Sequence, residues 1–297
     1  MIDWLLEPFQ HPFNQRAILA ALMIGFTNGY ASAFVVLKKS ALKVGSLSHA
    51  LLPGIAVAIL VAGLNDWSAF LGSLFAALLI GLGSLAVSRG SRLDQDSALA
   101  ILYTAAFSGG IILLRRIGVT QEMEEWLFGN IMGLRDGDLW TNFWISFGAL
   151  GTLTALHRPL LMTLFDAEVA ATLGVPVRAL NYLLLAVLIV VLISSLQAVG
   201  CMLALGLLVT PAATVYLLTD STNAMFWGGS LLGGLASAFA VLAGWWLNIE
   251  QGPAIVLVLG AVFLIAFLFS PKYGLLGRSR AVARRGREAA KEDSLID

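Results

Sequence analysis

"ALNYLLLAVLIVVLISSLQAV", residues 179–199, passes without a single Asp, Glu, Lys or Arg. At about 1.5 Å per residue, a helix of that length reaches roughly 30 Å, the thickness of a bilayer's hydrocarbon core. Similar runs occupy 17–37, 50–64, 68–87, 97–114, 139–156, 201–218, 225–247 and 253–270, and none of them carries a charged side chain. The chain has 297 residues, 59% hydrophobic and 12% charged, with mean hydropathy +0.87. That leaves too little polar surface to cover a soluble core built from so many apolar helices. The expected fold is an all-α polytopic membrane protein with eight or nine apolar helical segments, at least one of them interrupted.

The run 50–64 is short, so it is tilted, extended into Ser48 and His49, or only partly inserted. Nine crossings with the C-terminus inside place all 18 Lys and Arg in the cytoplasm except Arg16, Arg115, Arg116 and Arg135. The N-terminus is then outside. With eight crossings and one re-entrant segment it is inside. Both versions keep the loop 157–178 cytoplasmic. The expected organisation is an N-terminal segment 1–16, a transmembrane domain 17–271 and a basic cytoplasmic tail 272–297. The tail reads as a solvated, disordered end, with contact to anionic membrane lipid as the alternative. The opening "MIDWLLEPFQHPFNQR" lacks the basic cluster of a signal peptide. The single cysteine, Cys201, excludes an intrachain disulfide and reads as a small hydrophobe.

Small residues fall four apart at Gly25 and Gly29, Gly229 and Gly233, and Ser230 and Gly234. This spacing lets helix backbones approach where lipid offers no hydrophobic drive. Pro211 removes one helical hydrogen bond and crowds the carbonyl of Leu207, so a kink or break is expected there. Pro53-Gly54 reads as a second interruption near the start of its segment. Interrupted helices are found along transport pathways, and also in purely structural membrane helices.

Apolar segments without charge argue against a proton- or sodium-driven relay. Energy then comes from a second protein, because the chain contains no GxxxxGK[ST] phosphate loop and is not an enzyme by itself. The loop at about 163–177 suits such a partner. Asp166 can cap a short helix, Glu168 lies in its positive first turn, and Gly174 followed by Pro176 ends it. Val169 and Leu173, four apart, form an apolar docking edge. An interfacial connector is the plain alternative.

Four motifs in order carry a resemblance: "FVVLKK" with "SLSHALLPGIA", "EEWLFGNIMG", "FDAEVAATLGVPV" and "ALGLLVTPAATVYLL". From about Phe13 to Pro271 the sequence resembles permease subunits of the metal-importing ABC-3 family. The resemblance implies a helical permease that pairs with a second copy over two cytoplasmic ATPase subunits. An extracytoplasmic metal-binding protein would deliver the cation, in the bacterial inner membrane. It also implies that 166–174 is the coupling helix and that His49 lies on the metal pathway. No permanent cofactor is implied; ATP is used by the partner.

One departure bears on the cargo. The family commonly has "GDAxSHA", whereas "KVGSLSHA" places Gly45 where the Asp stands. The lost carboxylate favours Zn²⁺ over manganese, since imidazole suits zinc, with a manganese or iron importer of the same family as the alternative; Ser48, backbone carbonyls, water or a carboxylate from elsewhere in the fold are alternative oxygen donors. Asp66, Glu122, Glu124, Glu125 and Glu250 sit at expected outer turns, as an acidic entrance or as ordinary solvated surface. A self-contained secondary carrier and a structural membrane protein are the competing classes. Nothing points to nucleic acid.

Overall fold

A computed structural model describes residues 7–41, 45, 51–63, 66–117 and 129–270, with the backbone alone described at 66, 89, 197–199 and 201–203. Among these residues every regular element is helical. The elements are α1 (Pro12–Leu37), α2 (Leu51–Ala62), α3 (Asp66–Gly90), α4 (Gln95–Ile117), a 3₁₀ turn (Ile131–Gly133) and α5 (Asp136–Ala155). They continue with α6 (His157–Phe165), α7 (Ala167–Thr172), α8 (Val177–Val199), α9 (Cys201–Tyr216), α10 (Thr222–Leu247) and α11 (Gln251–Phe269).

Each apolar run coincides with a helix, but among the described residues six are long and apolar enough to cross a bilayer: α1, α3, α4, α8, α10 and α11. The expected eight or nine crossings are not reached by that measure. The 12 residues of α2 extend only about 18 Å. In α5, Asp136 and Asp138 fill the first turn. Between α8 and α9 stands only Gly200, at φ 81°, a left-handed backbone that glycine adopts without a Cβ clash.

The bundle has an apolar exterior, and its largely apolar interior also holds small and polar residues. On α10, Leu231, Leu235 and Phe239 are exposed, while Gly229, Gly233 and Ser237 are buried. Buried polar groups include Asn28, Ser32, Asn142, Ser194, Ser195 and Ser230. In water this arrangement would be costly. In lipid it is the expected one, because large side chains face hydrocarbon and small ones let backbones meet.

α1 is the centre: 72% of its apolar window is buried, against 22% for peripheral α4. Its main partner is α10. A Cβ on Gly25 would fall on the carbonyl oxygen of Gly233, and one on Gly29 would fall on that of Gly229. The spaced small residues are thus two halves of one seam.

α2 is helical from Leu51 through Pro53 and Gly54 to Ala62, while the His49 carbonyl, which Pro53 leaves without its helical N–H, and with it the interruption expected there, lie outside the described residues. Both residues also serve close packing. A Cβ on Gly54 would strike the Gly72 carbonyl of α3, and one on Gly110 of α4 would lie 2.7 Å from the Pro53 Cα. α9 likewise continues past Pro211, and its perturbed backbone is met from α1. The Ala212 N–H donates to Ser32 Oγ at 3.0 Å, and Ser32 Oγ donates to the Gly29 carbonyl at 2.8 Å.

Candidate functional site

At one end of the bundle, the local chemistry of 165–177 builds a compact projection. Asp166 adopts an extended backbone, and its Oδ1 accepts from the N–H groups of Glu168 at 3.1 Å and Val169 at 3.0 Å, capping α7. At the other end, Gly174 N–H reaches the Ala171 carbonyl at 3.1 Å and Val175 N–H reaches that of Ala170 at 3.0 Å. Gly174, at φ 81°, makes this closing turn possible, and Pro176 then caps α8. Glu168 lies in the first turn of α7, as expected.

One face of the projection is anchored and the other is open. Ala170 is fully buried, while Val169 is 51% and Leu173 64% exposed. The structure adds Phe165, 68% exposed, which the spacing argument missed. It lies four residues before Val169, but Asp166 interrupts the helix between them, so helical periodicity did not include it.

Behind the projection, α5 turns into α6 at the single residue Leu156. His157 opens α6, and its Nδ1 lies 3.0 Å from the Tyr30 hydroxyl of α1. Phe226 of α10 stands edge-on to the imidazole at 4.6 Å between ring centroids, and Phe34 does so at 6.2 Å. Burial against these rings, with Arg158 next in sequence, holds the His157 pKa below its ordinary 6.5.

In the bundle, polar side chains link three helices. Asn28 Nδ2 of α1 donates to Ser195 Oγ of α8 at 2.7 Å, and Ser194 Oγ donates to Asn142 Oδ1 of α5 at 2.6 Å. These were not singled out from sequence. Asn and Ser are unremarkable singly, and only burial beside one another marks them.

Of the expected cargo residues, His49 and Ser48 lie outside the described residues. Gly45 is described and buried, and a Cβ on it would come within 2.9 Å of Leu205 Cδ2 on α9. Glu122, Glu124 and Glu125 also lie outside the described residues. Asp66 opens α3, and Glu250 is exposed before α11, so these two ends carry the described part of the supposed entrance. Among the described residues no three His, Cys, Asp or Glu side chains group as metal ligands.

A multi-pass bundle with a glycine-sealed core and a capped projection at one end has the architecture of a membrane permease. The profile of the ABC 3 transport family matches residues 10–270, and the chain belongs to that family. It is 35% identical over 269 residues to the manganese transport system membrane protein MntC of Halalkalibacterium halodurans, spanning 90% of this chain and 91% of that protein. It is 31% identical over 280 residues to a probable iron transport system membrane protein of Haemophilus influenzae, spanning 94% and 98%. The structure of PsaBC from Streptococcus pneumoniae in complex with Fab superimposes with TM-score 0.83 at 31% identity, covering 92% of this chain and 98% of that one. The chain is accordingly a multi-pass protein of the bacterial inner membrane.

Proposed function

We propose that this chain is the permease subunit of an ATP-driven importer of a divalent metal, with manganese as cargo. The observation that carries the reading is the capped α7 projection, with its exposed Phe165, Val169 and Leu173 edge, beneath a bundle whose apolar segments hold no charge. Such a bundle has no ion-coupled relay of its own and presents an apolar surface for a motor protein. α7 is the coupling helix, and the functional unit is two permeases over two ATPases, served by an extracytoplasmic metal-binding protein.

Manganese takes precedence over the zinc suggested by the sequence for two reasons. The relatives reported above are named for manganese and iron, not zinc. The zinc inference also rested on a missing carboxylate at 45, a position that faces the Leu205 side chain. Iron is the second reading, favoured by the Haemophilus influenzae relative. The test is uptake of Mn²⁺, Fe²⁺ and Zn²⁺ into proteoliposomes holding the permease and its ATPase, with and without ATP. ATP-dependent uptake led by Mn²⁺ is expected. Uptake that ignores ATP, or that is led by Zn²⁺, overturns the reading.

A further inference from the structure

α6 is a short rod with both ends engaged. Its nine residues extend about 14 Å from His157 to Phe165, after which Asp166 starts α7. Along the rod Leu160 and Thr163 are buried, so it packs against the bundle over its length. At its first residue the polypeptide has just turned through Leu156, a one-residue joint between α5 and α6.

What holds that joint is chemically specific. Tyr30 and Phe34 belong to α1, and Phe226 belongs to α10, the two helices sealed together by Gly25, Gly29, Gly229 and Gly233. Tyr30, Phe34 and Phe226 are buried, and their rings meet at 5.0 Å (Tyr30–Phe226) and 4.6 Å (Phe34–Phe226). Into this aromatic group projects the imidazole of His157, which meets the Tyr30 hydroxyl at hydrogen-bond distance. Apolar packing alone would let the ring slide. A hydrogen bond within an apolar enclosure fixes direction as well as distance.

We infer that His157 is a positioning residue for energy coupling: its hydrogen bond to Tyr30 fixes the bundle end of the α6–α7 rod to the α1–α10 unit. A push on α7 then rotates that unit instead of being lost at the Leu156 joint. The inference rests on the reading of α7 as the coupling helix. Neither residue touches the cargo or the ATPase in this scheme. Their action is mechanical, through the rod.

The experiment uses the complete transporter, permease with its ATPase, in proteoliposomes, and reads Mn²⁺ transported per ATP hydrolysed. Tyr30→Phe, which removes one oxygen from a buried ring, and His157→Ala should each lower that ratio by about threefold to tenfold, the range one hydrogen bond commands. ATPase co-purification should be unchanged in both. His157→Gln, which restores an acceptor for the Tyr30 hydroxyl, should recover most of the ratio. Tyr30→Phe with His157→Ala should be no worse than His157→Ala alone, because one interaction cannot be lost twice. An unchanged ratio in Tyr30→Phe, additive losses in the double variant, or no recovery with Gln overturns the joint. Leu173→Asp separates the two readings. If it leaves the ATPase bound and coupled, the coupling-helix reading fails; if it releases the ATPase while Tyr30→Phe keeps the normal ratio, only the joint fails.

Discussion

Ala212 donates its backbone N–H to the side-chain hydroxyl of Ser32, 180 residues away in sequence and 3.0 Å away in space. Pro211 cannot supply a helical N–H and disturbs the turn around it, so α9 completes its hydrogen bonding on α1. In lipid an amide without a partner costs far more than in water, and a serine on the neighbouring helix is an economical solution.

Ser32→Ala should therefore destabilise the bundle by about 1–3 kcal/mol, the cost of leaving a buried donor unmet. In a Pro211→Ala background α9 can close its own ladder, and the same substitution should cost much less. Unfolding midpoints of the four proteins in detergent form the cycle. Equal losses in both backgrounds would show that Ser32 is not answering Pro211.

Along the α1–α10 seam, Gly29→Ala forces a methyl onto the Gly229 carbonyl, a backbone atom that cannot swing aside. The expected loss is about 1–3 kcal/mol or more, with reduced folded yield. Gly148→Ala on α5, where an added Cβ meets nothing within 4 Å, is the control and should be neutral or slightly stabilising. Matched yields of the two variants on size-exclusion chromatography would contradict the seam.

Glu168→Lys combined with Leu173→Asp places a cation at the positive end of α7 and a charge on its apolar edge. ATPase co-purification and ATP-dependent uptake should both fall, while membrane insertion is kept. Asp166→Ala removes the cap, at about 0.5–2 kcal/mol of local helix stability, and should produce a milder form of the same defect. Full uptake with normal ATPase binding in the double variant would eliminate this edge as the docking surface.

On the cargo side, His49→Ala should abolish most uptake at limiting metal without affecting insertion or ATPase binding. Gly45→Asp by itself should move the Leu205 side chain, since its Cβ would come within 2.9 Å of Leu205 Cδ2. Adding Leu205→Ala gives the carboxylate room, and that pair should raise Mn²⁺ uptake relative to Zn²⁺. Competitive uptake at matched expression decides. An identical metal ratio in the pair and in the wild type would place position 45 off the cargo path.

His157 gives stability a defined pH dependence. Its folded pKa lies below the ordinary 6.5, so near and below that value the unfolded chain binds more protons than the folded one. Stability should be level above about pH 6.5, decline as pH falls from there through the lowered folded pKa, and level off beneath it. His157→Gln should flatten this decline. Thermal unfolding between pH 8 and pH 5 is the measurement, and parallel curves for wild type and variant would exclude His157 as the source.

Much of this protein was legible in one dimension. Charge-free runs announce bilayer solvent by length alone, since crossing hydrocarbon is a local property of each segment. The cap at Asp166, the first-turn Glu168 and the stop at Gly174 were readable because helix ends are set by residues within a few positions of one another. The four-residue spacing of glycines could be seen, but not that Gly29 meets Gly229, because nothing in a single helix specifies its partner. Pro53-Gly54 reads in the sequence only as a break, and the fold makes it a packing surface as well: Gly72 and Ala76 of α3 and Gly110 of α4 fit against it. The Ser32–Ala212, Asn28–Ser195 and Tyr30–His157 pairs were invisible for the same reason. Each joins ordinary residues whose significance arises only when tertiary packing buries them beside one another, so the sequence determined the solvent and the helix ends, and the fold alone decided which helices hold one another and through which atoms.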